Sequence, residues 1–199
     1  MTGVLTPILR LLVVINDRVL AIGRSVAWVL LALMVLVILA QVFFRYVLNN
    51  ALPWPDEAAR FLMLWMTGLV APLGYRHGAF VAIEMAVDFL KGWFSRFLIV
   101  LLLAISLSVL LIAIGYGWGH TMGFGGNFDS SSLKLPFSWF GLEDVKVKLR
   151  YMYASLLVCV VLLTSVNIEL LLRNFIALFD PDAELPEPAE GLVIAAGAD

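Results

Sequence analysis

Two histidines, His77 and His120, are the residues whose type could support redox or metal chemistry. Paired histidines on membrane helices can ligate a haem, and a haem would make the protein an electron carrier. Each histidine follows the C-terminal end of a long apolar segment, and the two segments are consecutive. Antiparallel neighbours would place these ends on opposite faces of a bilayer, about 30 Å apart. The sequence therefore predicts that this pair ligates no haem and that both side chains are polar groups at the membrane interface.

Other motifs that carry chemistry are not found in the sequence. It contains no glycine-rich phosphate loop, no pair of cysteines and no HExxH metal signature. The single cysteine, Cys159, stands among leucines and valines, where a small buried hydrophobe is expected. We therefore predict that the chain is not an enzyme and has no catalytic, cofactor-binding or metal-binding residues. The net charge of −2 comes without a basic block, which argues against a nucleic-acid partner.

Composition indicates that lipid is the solvent of this chain. Hydrophobic residues make up 62% of the sequence and charged residues 14%, against roughly 45–50% and about 25% in soluble domains. A bilayer core of about 30 Å needs about 20 helical residues. The sequence predicts an all-α integral membrane protein, with one domain (residues 1–179) and a disordered acidic tail (180–199). Its four transmembrane helices are expected at approximately 25–48, 55–76, 97–119 and 151–172.

The second of these spans is the weakest, because its uncharged core is short. Phe61 to Tyr75 amounts to about 22 Å of helix. A start at Pro55 lengthens it and puts Asp56 and Glu57 in the first turn, where the helix dipole favours anions. Arg60 then follows Asp56 by one turn and can pair with it. A short span with charges at its tip is favoured against another protein rather than alone in lipid.

Two amphipathic interfacial helices are predicted outside the spans. The first, Pro7 to Arg24, comes before the first span, and the second, Val81 to Trp93, lies between spans two and three. Both place charged residues on one side and apolar residues on the other, which suits a helix lying in the membrane plane. In the first helix the charged side has Arg10, Asp17 and Arg24, and the apolar side has Ile8, Leu11, Leu12, Ile15, Val19 and Ile22. The alternative is that both segments extend as helices into the aqueous loops.

Polar residues inside the spans are few and mostly uncharged. No charge lies well inside spans one and three, and Glu169 lies near the end of the fourth. Gln41, Asn167, Ser106 and Ser108 are expected to form hydrogen bonds between helices. Without charges inside the spans, the chain is poorly equipped to carry a charged solute by itself.

The run QVFFRYVLNNALPWPDEAARFLMLW, residues 41–65, resembles the small membrane (DctQ-like) subunit of tripartite ATP-independent periplasmic (TRAP) transporters. The resemblance covers about residues 15–175, although only this run is specific. Phe80 stands where the family often has histidine, and no family role extends to the charged stretch Gly141–Arg150. The matching residues are Arg45, Tyr46, Val47, Asn49, Trp54, Glu57 and Trp65, followed by Gly68, Gly78 and Glu84.

The resemblance implies a small permease subunit that acts as a scaffold in a secondary active transporter. A large many-spanning TRAP subunit would hold the solute and any sodium ion, so this chain would need no cofactor. A periplasmic solute-binding protein would deliver an organic acid. The location implied is the bacterial inner membrane, with lipid as a further partner. Counts of lysine and arginine on the two sides are nearly equal, and discounting Gly141–Arg150 favours cytoplasmic termini.

Six residues of the matched run are candidates for a partner interface or a lipid boundary. Arg45 could instead reach the lipid phosphates, and Tyr46 and Trp54 could belong to an aromatic interface belt. Glu57 could cap the helix dipole, and Trp65 could pack against a partner helix or within the bundle. The complete set is Arg45, Tyr46, Trp54, Glu57, Arg60 and Trp65.

Two other functions stay open at this point. A membrane anchor of a redox enzyme would need ligands for haem or quinone. A small autonomous channel would need a polar path through its own helices.

Overall fold

The computed structural model describes residues 2–89, 93–135, 145–179 and 185–186. Four long helices make up most of these residues: α1 (Thr2–Tyr46), α2 (Pro55–Phe89), α3 (Trp93–Met122) and α4 (Arg150–Phe179). All four are long and apolar enough to cross a bilayer. The prediction of an all-α membrane protein with four transmembrane helices is confirmed.

Helix α4 lies at the centre of the bundle, between α2 and α3, and it also contacts α1. The helices alternate in direction along the chain, so α2 and α4 run in parallel. Most of the buried side chains that join them are aliphatic, as expected where close packing of helices stabilises a bundle in lipid. This main core consists of Leu20, Leu73, Ile99, Leu103, Val166 and Leu170. A second cluster joins the start of α1 to the end of α4 through Leu9, Val13 and Ile176.

Helix α1 contains both the predicted interfacial segment and the first span without interruption. The expected apolar side of that segment is exposed, for example at Leu11 and Ile22. A different stripe, which includes Leu9, Val13 and Leu20, is buried against the bundle. The buried stripe of α1 therefore packs within the fold. The orientation of the predicted interfacial segment relative to a membrane plane stays a prediction.

The second amphipathic segment also continues a span, because α2 extends from Pro55 to Phe89. The side chains of residues 79–93 lie outside the described part of the structure, so the predicted opposition of apolar and charged residues is not tested there. The predicted disordered tail from 180 onward likewise lies outside the described residues, apart from 185–186. Leu185 packs against the cluster of Leu9, Val13 and Ile176.

A small antiparallel sheet connects α3 to α4. After a 3₁₀ turn at Phe124–Asn127, strand β1 (Asp129–Leu135) pairs with β2 (Val145–Lys148), with an irregular register between Asp129 and Lys134. The sequence pattern predicts no strands, and it predicts no structure for the charged stretch that contains β2. Residues 145–148 alternate between valine and lysine, and this period of two is typical of a strand with one apolar face.

Candidate functional site: polar networks that join the helices

Arg76 of α2 forms ion pairs with carboxylates from two other helices. Its Nε and Nη2 donate to Oε1 of Glu169 on α4, at 3.1 and 2.6 Å. Its Nη1 donates to Oδ1 of Asp17 on α1, at 2.5 Å. The side chain of Arg76 is 5% exposed and that of Glu169 is 0% exposed. One guanidinium group therefore joins three helices in the interior of the bundle.

The second oxygen of Glu169 is also hydrogen-bonded. Asn16 Nδ2 donates to Glu169 Oε2 at 2.7 Å, and Ser165 Oγ donates to Asn16 Oδ1 at 2.6 Å. A buried carboxylate is tolerable only when its charge is paired and its lone pairs are filled. Both conditions are met at Glu169, so this network can act as a stable connection between α1, α2 and α4.

Glu169 lies further from the ends of the bundle than its position near the end of the predicted fourth span indicates. Arg96, just before the charge-free run of α3, donates to the carbonyl of Ala177. At the other end of that run, the ring of His120 contacts Tyr153. Measured along α4, Glu169 lies about 12 Å from Ala177 and about 24 Å from Tyr153. It therefore lies beside the apolar run of α3, and α4 continues beyond it to Phe179.

This geometry also bears on the two histidines. His77 adjoins Arg76 at the level of Glu169, whereas His120 is at the level of Tyr153. The two levels are separated by about 24 Å along α4. The structure therefore does not bring the histidines together.

Asn167 forms the second polar connection, between α2, α3 and α4. Its Nδ2 donates to the hydroxyl of Tyr75 at 2.7 Å and to Ser106 Oγ at 3.1 Å. The predicted hydrogen bonds between helices thus occur at Asn167 and Ser106. Ser108 differs, because its hydroxyl donates to the carbonyl of Ala104 in its own helix.

Glu57, one of the six candidates, accepts hydrogen bonds from strand β1 of the sheet. Its Oε2 accepts hydrogen bonds from the backbone N–H of Ser132 at 2.8 Å and of Leu133 at 3.1 Å. The hydroxyls of Ser132 and Ser131 also donate to it. The irregular part of β1 therefore folds around this carboxylate and is held to the start of α2.

Trp65 contributes to the contact between α2 and α4. Its Nε1 donates to the carbonyl of Tyr151 at 3.0 Å. One turn later, a Cβ added to Gly68 would lie 2.8 Å from the carbonyl oxygen of Ser155. The absence of a side chain at Gly68 allows this close approach, as is common between membrane helices. Trp65 therefore contacts α4 within the bundle, and its side chain is half-buried.

Three of the remaining candidates lie at the surface where α1 ends and α2 begins. The guanidinium group of Arg45 lies 5.7 Å from the centre of the Tyr46 ring, a cation–π distance. Tyr46 is 75% exposed, and Trp54 is also exposed. These three positions stay predicted candidates for a partner interface or a lipid boundary.

The pairing expected for Arg60 is wrong. Arg60 is exposed, and the described side chains show no ion pair between it and Asp56. Asp56 instead accepts a hydrogen bond from Gln41 Nε2 at 2.9 Å. The contact to α1 therefore replaces the expected contact within α2.

Sequence reasoning missed Asp17, Arg76 and Asn16 as members of one network. The sequence does contain a usable signal. Because consecutive helices run in opposite directions, the first half of α1 and the second halves of α2 and α4 lie on the same side of the bundle. An arginine and two acids at such positions could have been proposed to pair. Among the residues that the structure describes, no group of three or more His, Cys, Asp or Glu side chains could hold a metal ion.

Comparison with known protein families identifies the family of this chain. The family model for the DctQ component of tripartite ATP-independent periplasmic transporters matches residues 34–177, which is more than half of the chain. The chain belongs to the DctQ family. Comparison with curated proteins and with solved structures found no match.

The residues matched by the DctQ model include only part of the ion network. Arg76 and Glu169 lie inside the matched residues, whereas Asn16 and Asp17 precede them. In this DctQ protein, the start of α1 therefore contributes to a connection whose other members lie within the family region. The family is one of transporter components, and the chain is a multi-pass membrane protein.

Proposed function

We propose that this chain is the small scaffold subunit of a TRAP transporter. It supports a large many-spanning subunit during ion-coupled uptake of an organic acid, which a periplasmic binding protein delivers. Family membership supports the transporter assignment, because the family is named as one component of a tripartite system. In this proposal the large subunit binds the solute and the coupling ion, which includes sodium if sodium is used.

The observation that carries the scaffold role is the network around Arg76. A subunit that translocates a charged solute needs polar groups that are open to the solute. Here the buried charges of Arg76 and Glu169 are bound to each other and to α1. The network therefore favours a subunit that holds its own helices in place rather than one that carries solute.

The same proposal places the chain in the bacterial inner membrane with both termini in the cytoplasm. In that orientation the sheet and Glu57 face the periplasm, and the network lies toward the cytoplasmic half of the bundle. Cysteine labelling from either side of sealed vesicles tests this, with a cysteine in place of Thr6 or Ser131 in a chain that carries Cys159→Ala. Labelling of position 131 only from the cytoplasmic side would reverse the orientation.

The functional test compares solute uptake with and without this chain. The large membrane component and the binding protein are reconstituted in vesicles, and this chain is either included or left out. The expected result is loss of uptake when it is left out, together with co-purification of the large component on a tag placed on this chain. Uptake that continues unchanged without this chain, or solute flux through this chain alone, would overturn the proposal.

A further inference from the structure

The outer face of the first half of α1 is apolar except for two arginines. Arg10 and Arg18 are both exposed on this face. A charged group surrounded by apolar side chains is favoured neither in water nor in hydrocarbon alone, so this face needs surroundings that offer both. The exposed aliphatic residues around the two arginines are Ile8, Leu11, Val14, Ile15, Val19 and Ile22.

Neither arginine has a partner within the described part of the chain. Arg10 and Arg18 form no hydrogen bond and no ion pair with any residue that the structure describes. Asp17, which adjoins Arg18, accepts its hydrogen bond from Arg76 instead, and α1 contains no other acid. The donors of both guanidinium groups are therefore available to a group outside the chain.

The two arginines stand one helical turn on either side of Val14. Arg10 precedes Val14 by four positions and Arg18 follows it by four. Residues four apart are neighbours on a helix surface, with Cβ atoms about 5–6 Å apart. Because arginine is a long side chain and Val14 is short and 49% exposed, both guanidinium groups can contact one anion that lies over Val14.

Val14 lies close to the level at which the hydrocarbon layer ends. The adjoining Val13 packs against Ile176 of α4. The carbonyl of the next residue, Ala177, accepts a hydrogen bond from Arg96. Arg96 directly precedes the charge-free run of α3, and such a run marks the part of a helix that lies inside the hydrocarbon. The surface over Val14 is therefore at the depth of the lipid phosphates.

The positions of the two arginines relative to this level are complementary. Along α1, Arg18 lies about 6 Å from Val14 toward the span, and Arg10 lies about 6 Å from it in the opposite direction. Side chains on a helix lean toward its N-terminus, so Arg18 leans toward the boundary. An exposed arginine just inside the hydrocarbon also extends its charged end toward the phosphates.

We propose that Arg10 and Arg18 bind the phosphate of an anionic phospholipid over Val14, and that its acyl chains lie along the apolar face of α1. A phospholipid matches this face in both respects, because it joins an anionic head group to apolar chains. A soluble anion or an acidic peptide matches only the arginines and leaves the aliphatic side chains uncovered. Toward the middle of the span the exposed apolar face continues through Ile22, Val26, Val29, Leu33 and Leu36.

The experiment measures the binding of single lipids to the full chain in detergent micelles. Phosphatidylglycerol and phosphatidylcholine with the same acyl chains are titrated, and native mass spectrometry counts the bound lipids. We expect the unsubstituted chain to bind phosphatidylglycerol selectively, because two unpaired arginines favour a head group with net negative charge. Arg10→Gln combined with Arg18→Gln should weaken this binding by about tenfold or more, which corresponds to about 1.4 kcal/mol.

Two further variants separate a local site from an effect of total charge. Arg45→Gln combined with Arg60→Gln removes the same charge from exposed positions at the other end of the bundle, and it should leave selective binding in place. Val14→Glu puts a carboxylate one turn from each arginine, and it should weaken binding as much as the loss of both arginines. All these positions are exposed, so the unfolding temperature in phosphatidylcholine micelles should stay that of the unsubstituted chain.

Several results would overturn the inference. The first is equal affinity of the unsubstituted chain for the two lipids, which needs no variant. The second is an equal loss in the two paired arginine variants, since binding would then follow total charge. The third is displacement of the lipid by inorganic phosphate, which would make the arginines a site for a free anion. The test of the proposed function is solute uptake, so either proposal can fail without the other.

Discussion

Arg76 and Glu169 meet at a single carboxylate oxygen, which accepts hydrogen bonds from both Nε and Nη2 of the arginine. The other oxygen of Glu169 is filled by Asn16 of a third helix. Because the guanidinium group is planar and has donors in a fixed fork, this contact requires a particular rotation of α2 relative to α4. The same rotation leaves Thr67 and Gly74 on the outer face of α2.

Removing the arginine should destabilise the isolated subunit severely. Arg76→Ala leaves Glu169 buried without its counter-charge, and breaking a buried pair in this way costs about 3–5 kcal/mol. Reversible unfolding in mixed micelles measures this loss. Arg18→Ala, at an exposed position beside Asp17, should change stability by no more than about 0.5 kcal/mol. Equal stability of the two variants would contradict a structural role for the network.

Removing the carboxylate of Glu57 should release β1 from α2. Glu57→Ala takes away the acceptor of the Ser132 and Leu133 amides, and hydrogen bonds to a charged group contribute about 1.5–3 kcal/mol each. Hydrogen exchange at these two amides should therefore accelerate by about tenfold or more. The control is Asp56→Ala, which removes the neighbouring carboxylate, whose described hydrogen bond goes to Gln41. Unchanged exchange in Glu57→Ala would show that the sheet is held by other contacts.

A single methyl group should distinguish the two kinds of glycine on α2. Gly68→Ala places a Cβ 2.8 Å from the carbonyl oxygen of Ser155, and such overpacking typically costs about 1–3 kcal/mol. Gly74→Ala has open space and should instead gain up to about 1 kcal/mol from helix propensity. The two variants should thus change the unfolding free energy of the isolated subunit in opposite directions. Equal effects would mean that α2 and α4 are not in close contact at Gly68.

The contact between Asn167 and Tyr75 should be measurable but weak. Hydrogen bonds between membrane helices average about 0.6 kcal/mol and reach about 1.7 kcal/mol in double-mutant cycles. A cycle of Asn167→Leu and Tyr75→Phe should give a coupling energy in this range. A matched cycle of Asn167→Leu with Ser108→Ala should give none, because Ser108 bonds within its own helix. Zero coupling in the first cycle would remove this contact from the fold.

The helices themselves could be predicted from the sequence with little loss. Charge-free runs of spanning length predicted three helices, and Pro55 with its acidic neighbours predicted the start of α2, whose uncharged core is shorter. The spacing of residues along one helix was less informative where it is compatible with several different contacts. Arg60 and Asp56 stand one turn apart, yet Asp56 bonds to Gln41 because α1 lies beside it. The alternation of valine and lysine in β2 spans only four residues, which is too short to predict a strand.

The sequence by itself determined that the chain crosses a membrane, how many times it does so, and which family it resembles. These properties depend on the length and composition of continuous segments. They can therefore be predicted without knowing which segments pack against each other. Only the tertiary structure decided that Asp17, Arg76 and Glu169 share one network and that Glu57 holds β1. The partners in these contacts are 59 to 93 residues apart in the chain. They meet because of how each helix is rotated about its axis, and close packing between helices, rather than any local pattern, sets that rotation.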